Sequence, residues 1–182
     1  LPTNPIAVFS GPSFADEVFA GLPAALVTAS DSSATANQIQ EAFEGSNLRL
    51  YSNDDPIGVS LAGAMKNVIA IAAGCAVGAG FGDNAKAAIL TRGLAEIARF
   101  ATFMGAKTDT IFGLAGVGDL ALTCAGPHSR NMAFGIALGR GEIPSSNLAE
   151  GSRTVAELAK LGKSKGVEFG HGVRDVGTFV ER

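Results

Sequence analysis

Lys66 is the residue whose surroundings in this sequence point most directly to chemistry. On a helix, its neighbours three and four positions away would be Ala62, Gly63, Ile69 and Ala70, none of which offers a carboxylate. Such a lysine either extends its ammonium group to the surface or stays desolvated inside the fold. Desolvation favours the neutral amine, which can exchange protons with a substrate near neutral pH. Lys66 is therefore a candidate proton donor and acceptor, with a surface-seeking lysine as the alternative.

Asp119 is a second candidate, because it follows a glycine-rich segment over residues 113–118. The glycines at 113, 116 and 118 would let the backbone approach a ligand. Their spacing differs from G-x-G-x-x-G, so the segment is not a dinucleotide-binding fingerprint. Asp119 either caps the helix that follows it or supplies a carboxylate to a site.

Residues 127–131 (PHSRN) predict an anion-binding site at the start of a helix. Ser129 can cap the helix, and Arg130 offers a two-pronged donor for phosphate. Asn131 and the free N–H groups of the first helical turn complete the donor set. A solvated loop arginine is the alternative, and His128 has no acid or cysteine beside it that would make it a catalytic base.

The predicted secondary structure around these candidates changes near residue 53. Before residue 53, short apolar runs alternate with amphipathic segments, which predicts alternating strands and helices and a parallel or mixed sheet. The predicted strands are 5–10, 24–29 and 48–51, and the helices between them are 14–20 and 33–43. After it, Asn53-Asp54-Asp55-Pro56 provides a helix start and only helical patterns follow. The predicted helices are 56–73, 85–104, 108–112, 118–123, 129–138, 154–162 and 173–180.

Composition excludes several classes of function. Fourteen Lys and Arg residues against seventeen Asp and Glu residues, with no block of like charge, argue against nucleic acid or an anionic membrane surface as partner. Cys75 and Cys124 lack the spacing of a zinc site, so we expect no metal and a reducing, cytoplasmic compartment. Residues 56–82 carry one charge and six glycines, which favours a buried helix over a membrane span.

Together, these motifs resemble bacterial-type NAD(P)-dependent glycerol-3-phosphate dehydrogenase, over residues 5–168. The matching strings, in the order of the family, are SGPSFA at 10–15 with Glu17, AMKNVIAIAAG at 64–74, TRGLAE at 91–96, GLAGVGDL at 113–120, LTC at 122–124, SRN at 129–131 and EG at 150–151. The family interconverts sn-glycerol 3-phosphate and dihydroxyacetone phosphate by hydride transfer with NAD or NADP, a step that feeds phospholipid synthesis. The resemblance therefore implies an oxidoreductase with a small phosphate substrate.

The resemblance also implies a role for individual residues. Lys66 would act on the proton of the substrate hydroxyl, and Asp119 would orient and support its ammonium group. The implied substrate contacts are these two residues with Gly11, Ser13, Asn67, Thr123, Ser129, Arg130 and Asn131. The implied cofactor contacts are Ala15, Arg130, Leu148 and Glu150. The sequence leaves open which of the two dinucleotides is preferred.

The fold class implied is an α/β remnant followed by a mainly α region. Residues 1–53 would be the last strands of a Rossmann dinucleotide-binding domain. Residues 54–182 would form an all-α substrate and dimerisation domain, similar to the C-terminal domain of 6-phosphogluconate dehydrogenase, in a homodimer. The family's glycine-rich phosphate loop and a second lysine precede this region and are not in the 182 residues. We therefore expect a chain cut from something longer, inactive or nearly so by itself.

Two alternatives remain at this level. The region could be a non-catalytic helical dimerisation module, since the helix over 85–104 carries Gly93, Ala98 and Ala101 for close packing. On another face of that helix, Arg92 and Glu96 stand four residues apart. The chain could also be a sibling dehydrogenase acting on a hydroxy acid, although Ser129, Arg130 and Asn131 suit phosphate better than carboxylate.

Overall fold

A computed structural model of the chain describes residues 4–143 and 150–166. The first part of the chain has three strands, β1 Val8–Ser10, β2 Ala24–Ala29 and β3 Leu48–Asn53, with the helices α1 Ala15–Phe19 and α2 Ser33–Ala42 between them. The strands form one sheet in the order β1-β2-β3, in which β1 is antiparallel and β3 is parallel to β2. The sheet is therefore mixed, one of the two arrangements that the sequence predicts.

The regular structure in the rest of the described chain is helical. They are α3 Pro56–Gly78, α4 Asp83–Phe103, α5 Thr108–Phe112, α6 Asp119–Thr123, α7 Arg130–Gly139 and α8 Glu150–Lys165. A π-helical turn over Leu114–Gly118 leads directly into α6. The helix predicted over 173–180 lies outside the described residues. An α/β part followed by helices confirms the predicted fold class.

The chain forms two compact units: Leu1–Gly63 with Ala101–Asp119, and Ala64–Phe100 with Leu120–Arg182. In the first unit, Val27 and Ala29 of β2 pack with Val59 and Ala115 in a buried cluster. In the second unit, the fully buried side chains include Met65, Ile69, Ile71, Ile97 and Met132. The domain boundary near residue 53 stays a prediction.

Asp55 caps the start of α3 and joins this helix to the segment before α5. Its Oδ1 accepts a hydrogen bond from Gly58 N at 2.8 Å, and its Oδ2 accepts one from Lys107 N at 2.8 Å. Asp54 pairs with the Lys107 ammonium group at 2.6 Å, which lowers the pKa of the Asp54 carboxyl. The helix start predicted at residues 53–56 is thus confirmed, with Asp55 supplying the cap.

The predicted end of α3 at residue 73 is wrong, because the helix continues through Gly74 to Gly78. Both glycines face α7, where Gly135 and Gly139 face them in return. A Cβ at Gly74 would lie 2.9 Å from Gly135 Cα, and one at Gly78 would lie 3.1 Å from Gly139 Cα. Backbone packing of this kind needs glycine, so tertiary contacts outweigh its low helix propensity.

α3 is the one helix of the described residues that is long and apolar enough, by length and composition, to cross a membrane. Half of its most apolar window is buried within the fold, and buried core helices pass the same test. Its residues Val68, Ile69, Ala70 and Ile71 are at most 1% exposed. The apolar composition of α3 is thus accounted for by core packing.

Candidate active site

Asp119 is buried at the first position of α6, with 2% of its surface exposed. The hydroxyl Oγ of Ser10, at the end of β1, donates a hydrogen bond to Asp119 Oδ2 at 3.2 Å. A Cβ at Gly63 of α3 would lie 2.9 Å from this Oγ, so α3 passes close to the same point. Ser10 therefore holds the Asp119 carboxylate in place. Sequence reasoning missed Ser10, although the SGPSFA string begins with it.

The turn after β1 carries two of the predicted substrate contacts. Gly11 is buried with φ +151°, and a Cβ there would lie 2.9 Å from Leu26 Cα of β2. Ser13 Oγ donates to the carbonyl oxygen of Gly11 at 3.1 Å, which closes the turn. A Cβ at Gly118 would lie 3.9 Å from Pro12 Cδ, so the turn lies beside the residue that precedes Asp119. Ala15 follows as the exposed first residue of α1.

The start of α7 carries the residues at which the sequence predicts an anion-binding site. Ser129 is buried and its Oγ accepts a hydrogen bond from Met132 N at 3.4 Å, which confirms it as the helix cap. The Arg130 guanidinium donates to Glu150 Oε1 at 3.1 Å. Both side chains of this ion pair are more than 60% exposed, so it adds little stability and stays open to competition by other anions.

A buried chain of hydrogen bonds ties α3, α7 and α8 together within the second unit. Asn131 Nδ2 donates to Asn67 Oδ1 at 3.0 Å, and Gly151 N donates to Asn131 Oδ1 at 2.9 Å. A Cβ at Gly151 would lie 2.7 Å from the Asn67 carbonyl oxygen, which makes this contact tight. Because Asn67 adjoins Lys66, the turn of α3 that carries Lys66 lies beside the first turns of α7 and α8.

The remaining predicted site residues are Lys66, Thr123 and Leu148. Lys66 lies on α3 and is half-buried, so its exposure is intermediate between that of a surface lysine and that of a fully desolvated one. Thr123 is buried at the last position of α6. Leu148 lies outside the described residues.

Neither cysteine is a candidate nucleophile. Burial raises the pKa of the Cys124 thiol to about 12, an effect that the charge of Lys86 only partly offsets. Burial also raises the pKa of the Cys75 thiol. Both therefore remain protonated at neutral pH, where a thiolate would be needed. Within residues 4–143 and 150–166, no group of three or more His, Cys, Asp or Glu side chains could hold a metal ion.

Comparison with known proteins assigns the family. Residues 55–171 match the family model described as the C-terminus of NAD-dependent glycerol-3-phosphate dehydrogenase. The chain belongs to this family. The match confirms the resemblance and decides against a sibling hydroxy-acid dehydrogenase.

Individual relatives agree with the family match. The chain is 49% identical over 171 residues to glycerol-3-phosphate dehydrogenase [NAD(P)+] of Agrobacterium fabrum, covering 93% of this chain and 52% of that protein. It is 51% identical over 168 residues to the protein of the same name from Thioalkalivibrio sulfidiphilus, covering 91% and 50%. The chain thus spans about half the length of the curated relatives it matches.

A solved structure extends the comparison to the fold. The crystal structure of glycerol-3-phosphate dehydrogenase from Coxiella burnetii superposes with a TM-score of 0.91 at 40% identity. The superposition covers 97% of this chain and 56% of that one. The sheet and helices described above are therefore those of the family.

Proposed function

We propose that this chain carries the catalytic lysine and the phosphate-binding helix of an enzyme that interconverts sn-glycerol 3-phosphate and dihydroxyacetone phosphate. One observation supports this most: the hydrogen bond from Asn131 to Asn67 brings the turn that carries Lys66 beside the turn that carries Arg130. A proton-transfer group and an anion-binding helix start thereby share one region of the second unit. An enzyme that oxidises or reduces a small phosphate ester needs both of these groups.

Lys66 supplies the proton. Reduction of the ketone develops negative charge on the C2 oxygen, which an ammonium group stabilises as it delivers its proton. In the reverse direction the neutral amine takes the hydroxyl proton. We assign to Asp119, which Ser10 holds by a hydrogen bond, the electrostatic support of that ammonium group.

The phosphate group binds at the start of α7. Arg130 provides charge and two parallel donors, while Ser129, Asn131 and the N–H groups of the first turn add neutral donors. The binding energy of this remote group helps to align C2 for reaction. The other substrate contacts that we propose are Gly11, Ser13, Asn67 and Thr123.

The residues at the start of α8 fit part of a nicotinamide dinucleotide. Glu150 and Arg130 present an exposed carboxylate and an exposed guanidinium side by side, a donor and acceptor set suited to ribose hydroxyls and phosphate oxygens. When bound, NAD or NADP transfers a hydride to or from C2. We propose Ala15, Arg130, Leu148 and Glu150 as contacts of this chain to the cofactor.

The wider setting is also a proposal. The reaction would feed glycerophospholipid synthesis in the cytoplasm, with the enzyme as a homodimer that needs neither nucleic acid nor a membrane. The absence of clustered positive charge in the sequence supports the last two points.

A fusion protein tests the catalytic assignment. The chain is joined to the dinucleotide-binding half of the Agrobacterium fabrum relative, and oxidation of NADH or NADPH is followed with dihydroxyacetone phosphate. We expect Lys66→Met to lower kcat with little change in KM, and Arg130→Gln mainly to raise KM for the phosphate substrate. Lys160→Met, on the exposed face of α8, is the matched control and should leave both unchanged. A fusion protein without turnover would favour the non-catalytic helical module. If Lys66→Met mainly raised KM and Arg130→Gln mainly lowered kcat, the catalytic and phosphate-binding roles of the two residues would be exchanged.

A further inference from the structure

Gly63 lies in the interior of α3, where glycine is less favourable than alanine because it loses more conformational freedom on folding. Later in the same helix, Gly74 and Gly78 are required by the backbone of α7, which a Cβ at either position would overlap. Gly63 faces a smaller obstacle. Outside its own helix, the only described atoms within 4 Å of a Cβ there would be the Oγ of Ser10, at 2.9 Å, and the Cβ of Ser10, at 3.7 Å. The glycine therefore makes room for one hydroxyl group.

The hydroxyl of Ser10 reaches Asp119 over a long hydrogen bond. Its Oγ lies 3.2 Å from Asp119 Oδ2, whereas most O–H···O hydrogen bonds are shorter than about 3.0 Å, so a small displacement is enough to break it. A methyl group at position 63 would force such a displacement, because it would lie closer to this oxygen than van der Waals contact allows. The serine side chain can rotate to another staggered position, which leaves the backbone in place but turns the hydroxyl away from the carboxylate. A side chain at position 63 would thus remove the hydrogen bond to Asp119 without opening the fold.

All three residues belong to the first compact unit, and each comes from a different element. Ser10 ends β1, Gly63 lies on α3 and Asp119 begins α6. Asp119 is 2% exposed, so little water can replace a hydrogen bond that its carboxylate loses. The orientation of this carboxylate therefore depends on a hydroxyl group whose own position depends on the absence of a side chain from α3.

We infer that Ser10 is a positioning residue for Asp119, and that the absence of a side chain at Gly63 is what allows it to act as one. The fold thereby gives up helix stability for the orientation of a carboxylate, an exchange that is common at active sites. This inference rests on the proposed function, in which Asp119 supports the ammonium group of Lys66. The steric dependence of Ser10 on Gly63 is a separate claim that can be tested without turnover.

Kinetics of the fusion protein test the positioning role. We expect Ser10→Ala to lower kcat by about tenfold with little change in KM, because Asp119 loses a hydrogen bond to its charged group. Gly63→Ala should lower kcat to a similar extent, and the double variant should be no worse than either single one, since both changes remove the same bond. In an Asp119→Ala background, Ser10→Ala should have no further effect. Ser46→Ala removes a serine hydroxyl from an exposed turn and should leave kcat unchanged.

Unfolding of the 182-residue chain by urea tests the steric dependence. In the Ser10→Ala background a Cβ at position 63 meets only the Cβ of residue 10, at the ordinary contact distance of 3.7 Å. Gly63→Ala should then raise the urea midpoint by about 0.5 M through helix propensity alone. In the wild-type background the rise should be smaller, because the same change also breaks the hydrogen bond from Ser10 to Asp119.

Equal shifts of the midpoint in the two backgrounds would overturn the steric dependence, whatever the turnover. A Ser10→Ala fusion protein with the kcat of the wild type would overturn the positioning role, and so would a Gly63→Ala fusion protein that keeps its kcat. If Ser10→Ala does not fold, Gly63→Ala decides alone by its kcat. Unequal shifts in a chain whose fusion protein lacks turnover would reject the proposed function and keep the steric dependence.

Discussion

Replacing Gly135 with alanine tests the packing that sets α7 against α3. A Cβ at this position would overlap the carbonyl oxygen of Ile71 and lie 3.0 Å from both Cys75 N and Gly74 Cα. These are backbone atoms, which cannot rotate aside, so the helices must separate. Overpacking costs ~1–3 kcal/mol, and we expect the upper end because the obstacle is backbone. Alanine regains about 1 kcal/mol of helix propensity, which leaves a net loss of about 2 kcal/mol.

The assay is unfolding by heat and by urea, followed by circular dichroism. A loss of about 2 kcal/mol corresponds to a fall in Tm of about 4–8 °C for a protein of this size. Gly82→Ala is the control, because no atom lies within 4 Å of a Cβ there, and it should change stability by less than about 0.5 kcal/mol. A Gly135→Ala protein as stable as the wild type would refute the reasoning, since helix propensity would then outweigh the contact with α3.

Three further predictions concern the cap of α3, the start of α7 and the buried thiol of Cys124. Asp55→Ala should destabilise the fold by about 1–3 kcal/mol in urea unfolding, because Gly58 N and Lys107 N both lose their acceptor. Asp55→Asn should cost less. An Asp55→Ala variant as stable as the wild type would contradict the role of Asp55 as a cap. Ser129→Ala should cost about 1 kcal/mol and raise KM in the fusion protein, whereas a change in kcat alone would argue against a phosphate role. The pKa of Cys124 is about 12 in the fold against 9.0 for a free thiol, so the unfolded chain loses this proton first. Stability should therefore fall by up to about 1.4 kcal/mol per pH unit above pH 9, relative to Cys124→Ala, and parallel curves for the two proteins would contradict the burial of the thiol.

Local patterns predicted most of the elements because their signals lie within a few residues. The strand at 24–29 and the helix at 108–112 have the bounds that the sequence predicts, and Ser129 caps α7 as expected. The sequence leaves the direction of β1 open, since no local pattern states which strand will pair with it. The predicted end of α3 is wrong because the low helix propensity of Gly74 suggests a stop there, while its contact with α7 depends on residues some sixty positions away.

The candidate site shows the same difference between local and long-range features. Motifs in the sequence identify the site residues, but they do not predict the hydrogen bonds that join those residues. The hydrogen bond from Ser10 to Asp119 joins residues 109 positions apart, and that between Asn131 and Asn67 spans 64. Contacts of this kind exist only once the fold has formed. The local sequence patterns also do not predict the π-helical turn before α6.

Titration with sn-glycerol 3-phosphate tests the central claim most directly, with backbone amides of the chain followed by NMR. If the Lys66 turn of α3 and the start of α7 form one substrate site, the amides of Asn67 and of residues 130–132 will shift together with a single Kd. Arg130→Gln should abolish both sets of shifts, and glycerol without phosphate should cause neither. Shifts confined to one helix, or two sets with different Kd values, would contradict a shared site.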